Sequence, residues 1–211
     1  MVVESVTAYP FMMGLFEEYN KQRISRNDLI EALCIVENYL IRRFLANEPT
    51  GYTNKMFPTL IREINLKDVA GSLKTALLVR NYSGDTQISR TLSTRPLYDG
   101  RKRDRLIFVL NNINQYLSQG SDGYTVLKDA ATIEHIMPQT LTSGWKRMLG
   151  EDWEETYRDF IDTIGNLTLV TQNWNSNLSN GEWSGKNHKL AQHALRINQD
   201  YFTRRCPFQA A

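Results

Sequence analysis

Ile133-Glu134-His135-Ile136-Met137-Pro138-Gln139 sets an acid and a histidine side by side in a short apolar run that a proline stops. A run of this kind reads as a strand, and Pro138 ends it by removing a backbone donor. Two later segments belong with it. Gly165-Asn166-Leu167-Thr168-Leu169-Val170 reads as a second compact strand opened by Gly-Asn. Asn175-Ser176-Asn177-Leu178-Ser179-Asn180 then leads through Trp183 and Lys186 into a helix expected to run to about Tyr201. Strand, strand and helix in that order make a ββα unit, and that unit decides the fold of the C-terminal part.

Outward from it, the chain changes character. Upstream of Ser118 the pattern is helical throughout. Residues 8–20, 26–48, a short stretch from Phe57, 67–80, 86–95 and 105–117 are expected as helices. In the second of these Leu29, Leu33, Val36, Leu40 and Phe44 recur at spacings of three and four, which gives one apolar face. Ser25 or Asn27, with Asp28, supplies its N-cap. In 67–80, Val69, Leu73, Leu77 and Leu78 point inward. SQGSDG at 118–123 is a turn cluster, YTVLKDAATIEHIMP carries two short strands, and 145–164 is an acidic helical segment. The expected fold is α+β, mostly α: a helical support and linker layer over 1–120, then a small ββα module over 121–211.

Composition excludes several classes. With 211 residues, 41% hydrophobic and 23% charged, the chain has the make-up of a soluble globular protein. It has no apolar run near the roughly 20 residues that cross a bilayer, and the N-terminus lacks the pattern of a secretory leader. It is read as cytoplasmic, with no membrane partner. Cys34 and Cys206 are far apart and form no CxxC pair, so neither a zinc staple nor a disulfide framework is expected, and Cys34 is read as a buried free thiol. The net charge is only +2, with 12 basic against 11 acidic residues up to position 100 and 13 against 12 beyond it. Any nucleic-acid-binding field must come from local clusters.

The residue types in the ββα unit suit phosphodiester hydrolysis. That reaction needs a water deprotonated near neutral pH, for which an imidazole is the fitting base. It also needs a divalent cation for the charge that develops on the phosphate, and hard oxygen donors, a carboxylate and an amide, hold such an ion. Glu134 and His135 are neighbours on a strand and point to opposite faces if it is regular, so a bend near Pro138 is required to bring both to one site. Asn166 is placed to hydrogen-bond the loop that carries the histidine. Asn175, Asn177 and Asn180 compete for the amide ligand, and Asn175 is the choice.

EHIMPQ, IGNLTLVTQNWNSNLSN and the W-x-x-K that follows resemble the C-terminal nuclease module of GmrSD-type modification-dependent (type IV) restriction endonucleases, of the HNH or His-Me finger superfamily. ENYLIRRFLANEPTGYTNKMFPTL and TRPLYDGRKRDRLIFVLNNI resemble the region before that module. The resemblance implies a ββα-metal nuclease: a metal-dependent DNA endonuclease or nickase of an anti-phage restriction system, acting on modified phage DNA. It implies His135 as general base, Glu134 and Asn175 as ligands of Mg²⁺ or Mn²⁺, and Asn166 as positioner of the histidine loop. Lys186 would contact phosphate or support the site. Such proteins carry an N-terminal sensor or NTPase domain, expected to lie outside these residues or on a partner. The alternative is a catalytically inactive nucleic-acid-binding or interaction module of a larger defence protein.

Two basic groups are candidates for phosphate contact. Arg101, Lys102, Arg103 and Arg105 form the densest run, either a solvated helix face or a DNA contact. Lys186, Lys189, Arg196, Arg204 and Arg205 stand against Asp200 near the C-terminus, a strip beside the site suited to a phosphate track. His188 and His193, five apart, do not share one helix face and are read as surface residues. Trp145, Trp153, Trp174 and Trp183 read as core residues before stacking platforms.

Overall fold

The computed structural model describes residues 6–100, 103–119 and 131–204. It divides into two compact units, Met1–Thr91 and Leu92–Ala211. The change of composition near residues 118–123 therefore falls inside the second unit.

The first unit is built from α1 (Tyr9–Asn20), α2 (Arg26–Leu45), α3 (Thr53–Leu60) and α4 (Val69–Leu78), with α5 (Asp85–Thr94) at the division. Helix α2 starts in a capping box: the Asp28 N–H donates to Ser25 Oγ at 3.1 Å, and the Ser25 N–H to the Asp28 carboxylate at 2.8 Å. Two otherwise unpaired backbone donors are thereby satisfied. Phe57 packs between Phe11 and Tyr39, each ring 6.2 Å from it, and Leu15, Leu60, Leu73 and Leu77 close the core. The paired arginines are structural. Arg43 is buried over the Tyr39 ring and donates to the carbonyls of Asn81 and Pro49, while Arg42 pairs with Asp85. Two expectations fail here. Cys34 is exposed, because the inward face of α2 runs through Ala32, Val36 and Tyr39. Leu78, in the last turn of α4, is also exposed.

The second unit holds α6 (Arg103–Leu117), β1 (Ala131–His135), α7 (Ser143–Leu149), α8 (Trp153–Phe160), β2 (Leu167–Thr171), α9 (Gln172–Leu178), α10 (Trp183–Ala191) and α11 (Arg196–Arg204). The strands pair antiparallel, with Ala131 opposite Thr171 and His135 opposite Leu167. The first of the two strands expected within 124–138 lies outside the described residues. Helices α6, α9 and α11 all pack on the pair, and every strand residue except the outer Ala131 and Thr171 is buried. Both strands are therefore covered on both faces, and β1 carries Thr132, Glu134 and His135 inside as buried polar residues. Helix α9 follows β2 at once and packs on both strands.

The acidic segment breaks into α7 and α8 at Gly150, whose φ of +84° a side chain would strain. The C-terminal helix is broken too, between α10 and α11. His193 sits in that break and is buried, not at the surface: its Nδ1 accepts from the Leu195 N–H at 3.2 Å, and its ring meets Trp174. Asn198 then ties α11 to β2, donating to the Leu169 carbonyl at 2.8 Å and accepting from Thr168 Oγ. Trp145 and Trp183 belong to the core with Ile136, Met137, Val170 and Leu190. Among the described residues no helix is long and apolar enough to cross a membrane.

Candidate active site

The site is built where β1 ends. Beyond His135, the Ile136 N–H continues the ladder to the Asn166 carbonyl at 2.9 Å. The Asn166 side chain then takes over. Its Oδ1 accepts from the Met137 N–H at 2.7 Å, and its Nδ2 donates to the carbonyls of Met137 at 3.0 Å and Ile161 at 2.8 Å. One buried amide so replaces the missing strand partner and clamps the segment that follows the histidine. Pro138, which has no N–H to offer a ladder, lies just past the clamp.

Glu134 and Lys186 form an ion pair inside the protein. Lys186 Nζ lies 2.6 Å from Glu134 Oε1 and donates to the His135 carbonyl at 2.8 Å, and the two residues are only 4% and 2% exposed. Burial raises the Glu134 carboxyl above the usual carboxylate range and lowers the Lys186 ammonium, while each charge partly offsets the effect on the other. His135 is 7% exposed, and its Nε2 lies 3.0 Å from Asp162 Oδ1. Burial depresses its imidazole below the ordinary 6.5, and Asp162 works in the opposite direction. The Tyr98 ring stands edge-on to the imidazole, 4.6 Å between centroids.

Glu134, His135, Asn175, Arg103 and Lys186 all line one cavity of about 450 Å³. The side chain of Asn175 is oriented by a bond from Nδ2 to the Ile133 carbonyl at 3.0 Å. A carbonyl only accepts, so the amide nitrogen faces it and Oδ1 is left as an acceptor. Arg103 donates to Thr132 Oγ at 3.2 Å on the cavity wall. Among the described residues no three His, Cys, Asp or Glu side chains cluster as a metal site. Donors that line the cavity include the Glu134 carboxylate, the His135 imidazole and the amides of Asn175, Asn180 and Gln139. Mg²⁺ is held by one or two protein oxygens, with water and phosphate filling the other positions, and this donor set fits such an ion.

The sequence-predicted residues are thus distributed in three ways. Glu134, His135, Asn175, Lys186 and Arg103 meet at the cavity, and Asn166 sits behind it as the clamp. Lys189 is exposed on α10 and donates to the Asn177 carbonyl at 2.8 Å. Arg101, Lys102 and Arg205 lie outside the described residues. The basic strip is discontinuous, since Lys186 is internal and Arg196 pairs with Asp200 at 3.4 Å. Asp162 and Tyr98 are additions. Their only mark in the sequence is local: Asp162 precedes Asn166 by four residues, and Tyr98 lies in the loop before α6.

Residues 82–204, more than half of the chain, match the family model described as GmrSD restriction endonucleases, C-terminal domain. No curated protein and no solved structure matches. The matched span contains every residue that lines the cavity and both strands beneath it. The chain accordingly belongs to the family of GmrSD restriction endonuclease C-terminal domains, a family of restriction-type nucleases.

Proposed function

We propose that this domain is an HNH (His-Me finger) nuclease that hydrolyses DNA phosphodiesters with His135 as general base. The observation that carries the reading is the convergence of an oriented imidazole, a carboxylate and an amide oxygen on one polar cavity. Glu134, through the oxygen that Lys186 does not take, and Asn175, through Oδ1, would hold Mg²⁺ or Mn²⁺. When bound, such an ion supplies positive charge for the scissile phosphate and the leaving oxygen.

The remaining work falls to the protein. The His135 imidazole takes a proton from water as the water oxygen bonds to phosphorus. The bond from phosphorus to the leaving sugar oxygen breaks, that oxygen takes a proton from solvent, and the imidazolium returns its own proton to solvent. The Asn166 clamp holds the His135 segment in place, and Lys186 keeps the Glu134 carboxylate charged and fixed. Arg103 and Lys189 contact flanking phosphates, with Arg101 beside Arg103 in sequence. The family's name supports DNA as the substrate, and modified phage DNA is the target we assign.

The test is nicking of a supercoiled plasmid with Mg²⁺ or Mn²⁺, comparing the wild type with His135→Ala. Loss of nicking in the variant, with its fold intact by circular dichroism, is expected. Equal nicking by both proteins removes His135 from the chemistry.

A further inference from the structure

Resting on that reading, we infer that Asp162 is the positioning residue that fixes the tautomer of His135 and so decides which ring nitrogen is the base. The Nε2···Oδ1 separation is 3.0 Å. A carboxylate oxygen bonded to a neutral imidazole accepts, so Nε2 carries the hydrogen and Nδ1 keeps the free lone pair. Without a fixed partner, a neutral imidazole divides between two tautomers, and only one presents a base to a given point. The same carboxylate stabilises the imidazolium that forms when the base takes its proton, the logic of the aspartate in Ser-His-Asp triads.

The position of Asp162 is itself over-determined. It lies one residue past the α8 C-cap, Ile161, and its backbone carbonyl accepts from the N–H groups of both Leu97 at 2.7 Å and Tyr98 at 3.2 Å. On its two sides, the Ile161 carbonyl is held by Asn166 Nδ2 at 2.8 Å, and the Thr163 N–H donates to Phe160 at 3.1 Å. Tyr98, hooked onto this same carbonyl, lays its ring edge against the imidazole. The ring therefore has its nitrogen bond and its packing contact both anchored on one residue. Asn166 links this turn to the segment after the histidine, since one side chain bonds both Ile161 and Met137.

The informative variant is Asp162→Asn, which keeps the shape and can turn an amide N–H₂ toward Nε2. That change favours the Nδ1–H tautomer and occupies the base. With plasmid and Mg²⁺ we expect kcat to fall by about 10²–10⁴-fold, DNA affinity at low salt to stay within about twofold, and Asp162→Glu to recover part of the rate. Nitrogen NMR of the histidine rings, at a pH where they are neutral, should show Nε2–H at His135 in the wild type and a shift toward Nδ1–H in Asp162→Asn. A wild-type Nδ1–H signal, or full-rate nicking by Asp162→Asn, overturns the inference. Because the tautomer is read on the wild-type protein, a variant that fails to fold does not shelter it. If His135→Ala instead nicks normally while wild-type NMR shows Nε2–H, the nuclease assignment of His135 fails and the Asp162 contact stands.

Discussion

Lys186→Met isolates the energetics of the internal ion pair, because methionine approximates the length of the lysine stem and brings no charge. In the wild type Nζ is 2.6 Å from Glu134 Oε1. At an effective dielectric of about 20 that separation corresponds to about 6 kcal/mol of attraction. Removing two ions from water costs several kcal/mol each, so the intact pair contributes little net stability. The single variant is a different matter. It loses the attraction and the bond to the His135 carbonyl, yet leaves Glu134 desolvated, at a cost of about 3–5 kcal/mol. The cost depends on pH in a definite sense. Burial already holds the Glu134 carboxyl above its ordinary 4.5, and loss of Lys186 raises it further. A raised carboxyl favours the folded state at low pH and costs stability as pH climbs, so the deficit is greatest near pH 8 and shrinks toward pH 5. Adding Glu134→Gln should restore most of it. Urea unfolding followed by tryptophan fluorescence suits the measurement, since Trp145, Trp153, Trp174 and Trp183 all lie in the second unit. A loss below about 1 kcal/mol at pH 8, under a third of the expected cost, or a deficit that does not change with pH, would refute the reasoning.

Other outcomes follow from the same geometry. The proposed base, His135, must be neutral to act, and burial holds its imidazole below the ordinary 6.5. The pH profile of kcat/KM should therefore rise through a midpoint below 6.5 and level above it, and a midpoint on the alkaline side contradicts the assignment. Arg103→Ala should weaken DNA binding evenly across sequences and reduce the salt slope by about one. An unchanged slope in a salt titration by fluorescence anisotropy removes Arg103 from the phosphate track.

What could be read in the sequence was what is local. The capping box of Ser25 and Asp28, the helical stripe of α2 and the strands around Glu134 and Leu169 each depend on neighbours within a few positions. The juxtaposition of Glu134 with His135, and the order in which Asn166 and Asn175 follow, were visible as motif. The residue that holds the imidazole was not. Asp162 lies 27 positions from His135, in a stretch whose acidity reads as a solvated helix. Lys186 reads as a phosphate contact or a support of the site, and only the fold brings it to Glu134 and the His135 carbonyl. His193, five residues from His188, reads as a surface position only on one unbroken helix, and the chain turns between α10 and α11.

The placement of α6 bears on how this nuclease can be moved between proteins. Asn114, on α6, accepts from the Ile197 N–H and so caps the start of α11 at 3.1 Å. Arg103 forms part of the cavity wall, and Tyr98 just before α6 is hooked to Asp162. A graft or gene fusion cut at the composition boundary near residue 120 would carry the whole EHIMPQ motif and both strands. It would leave behind the cap of the last helix and the ring that rests on the histidine. The compact unit that holds the site runs from about residue 92 onward, and so begins some forty residues ahead of the motif.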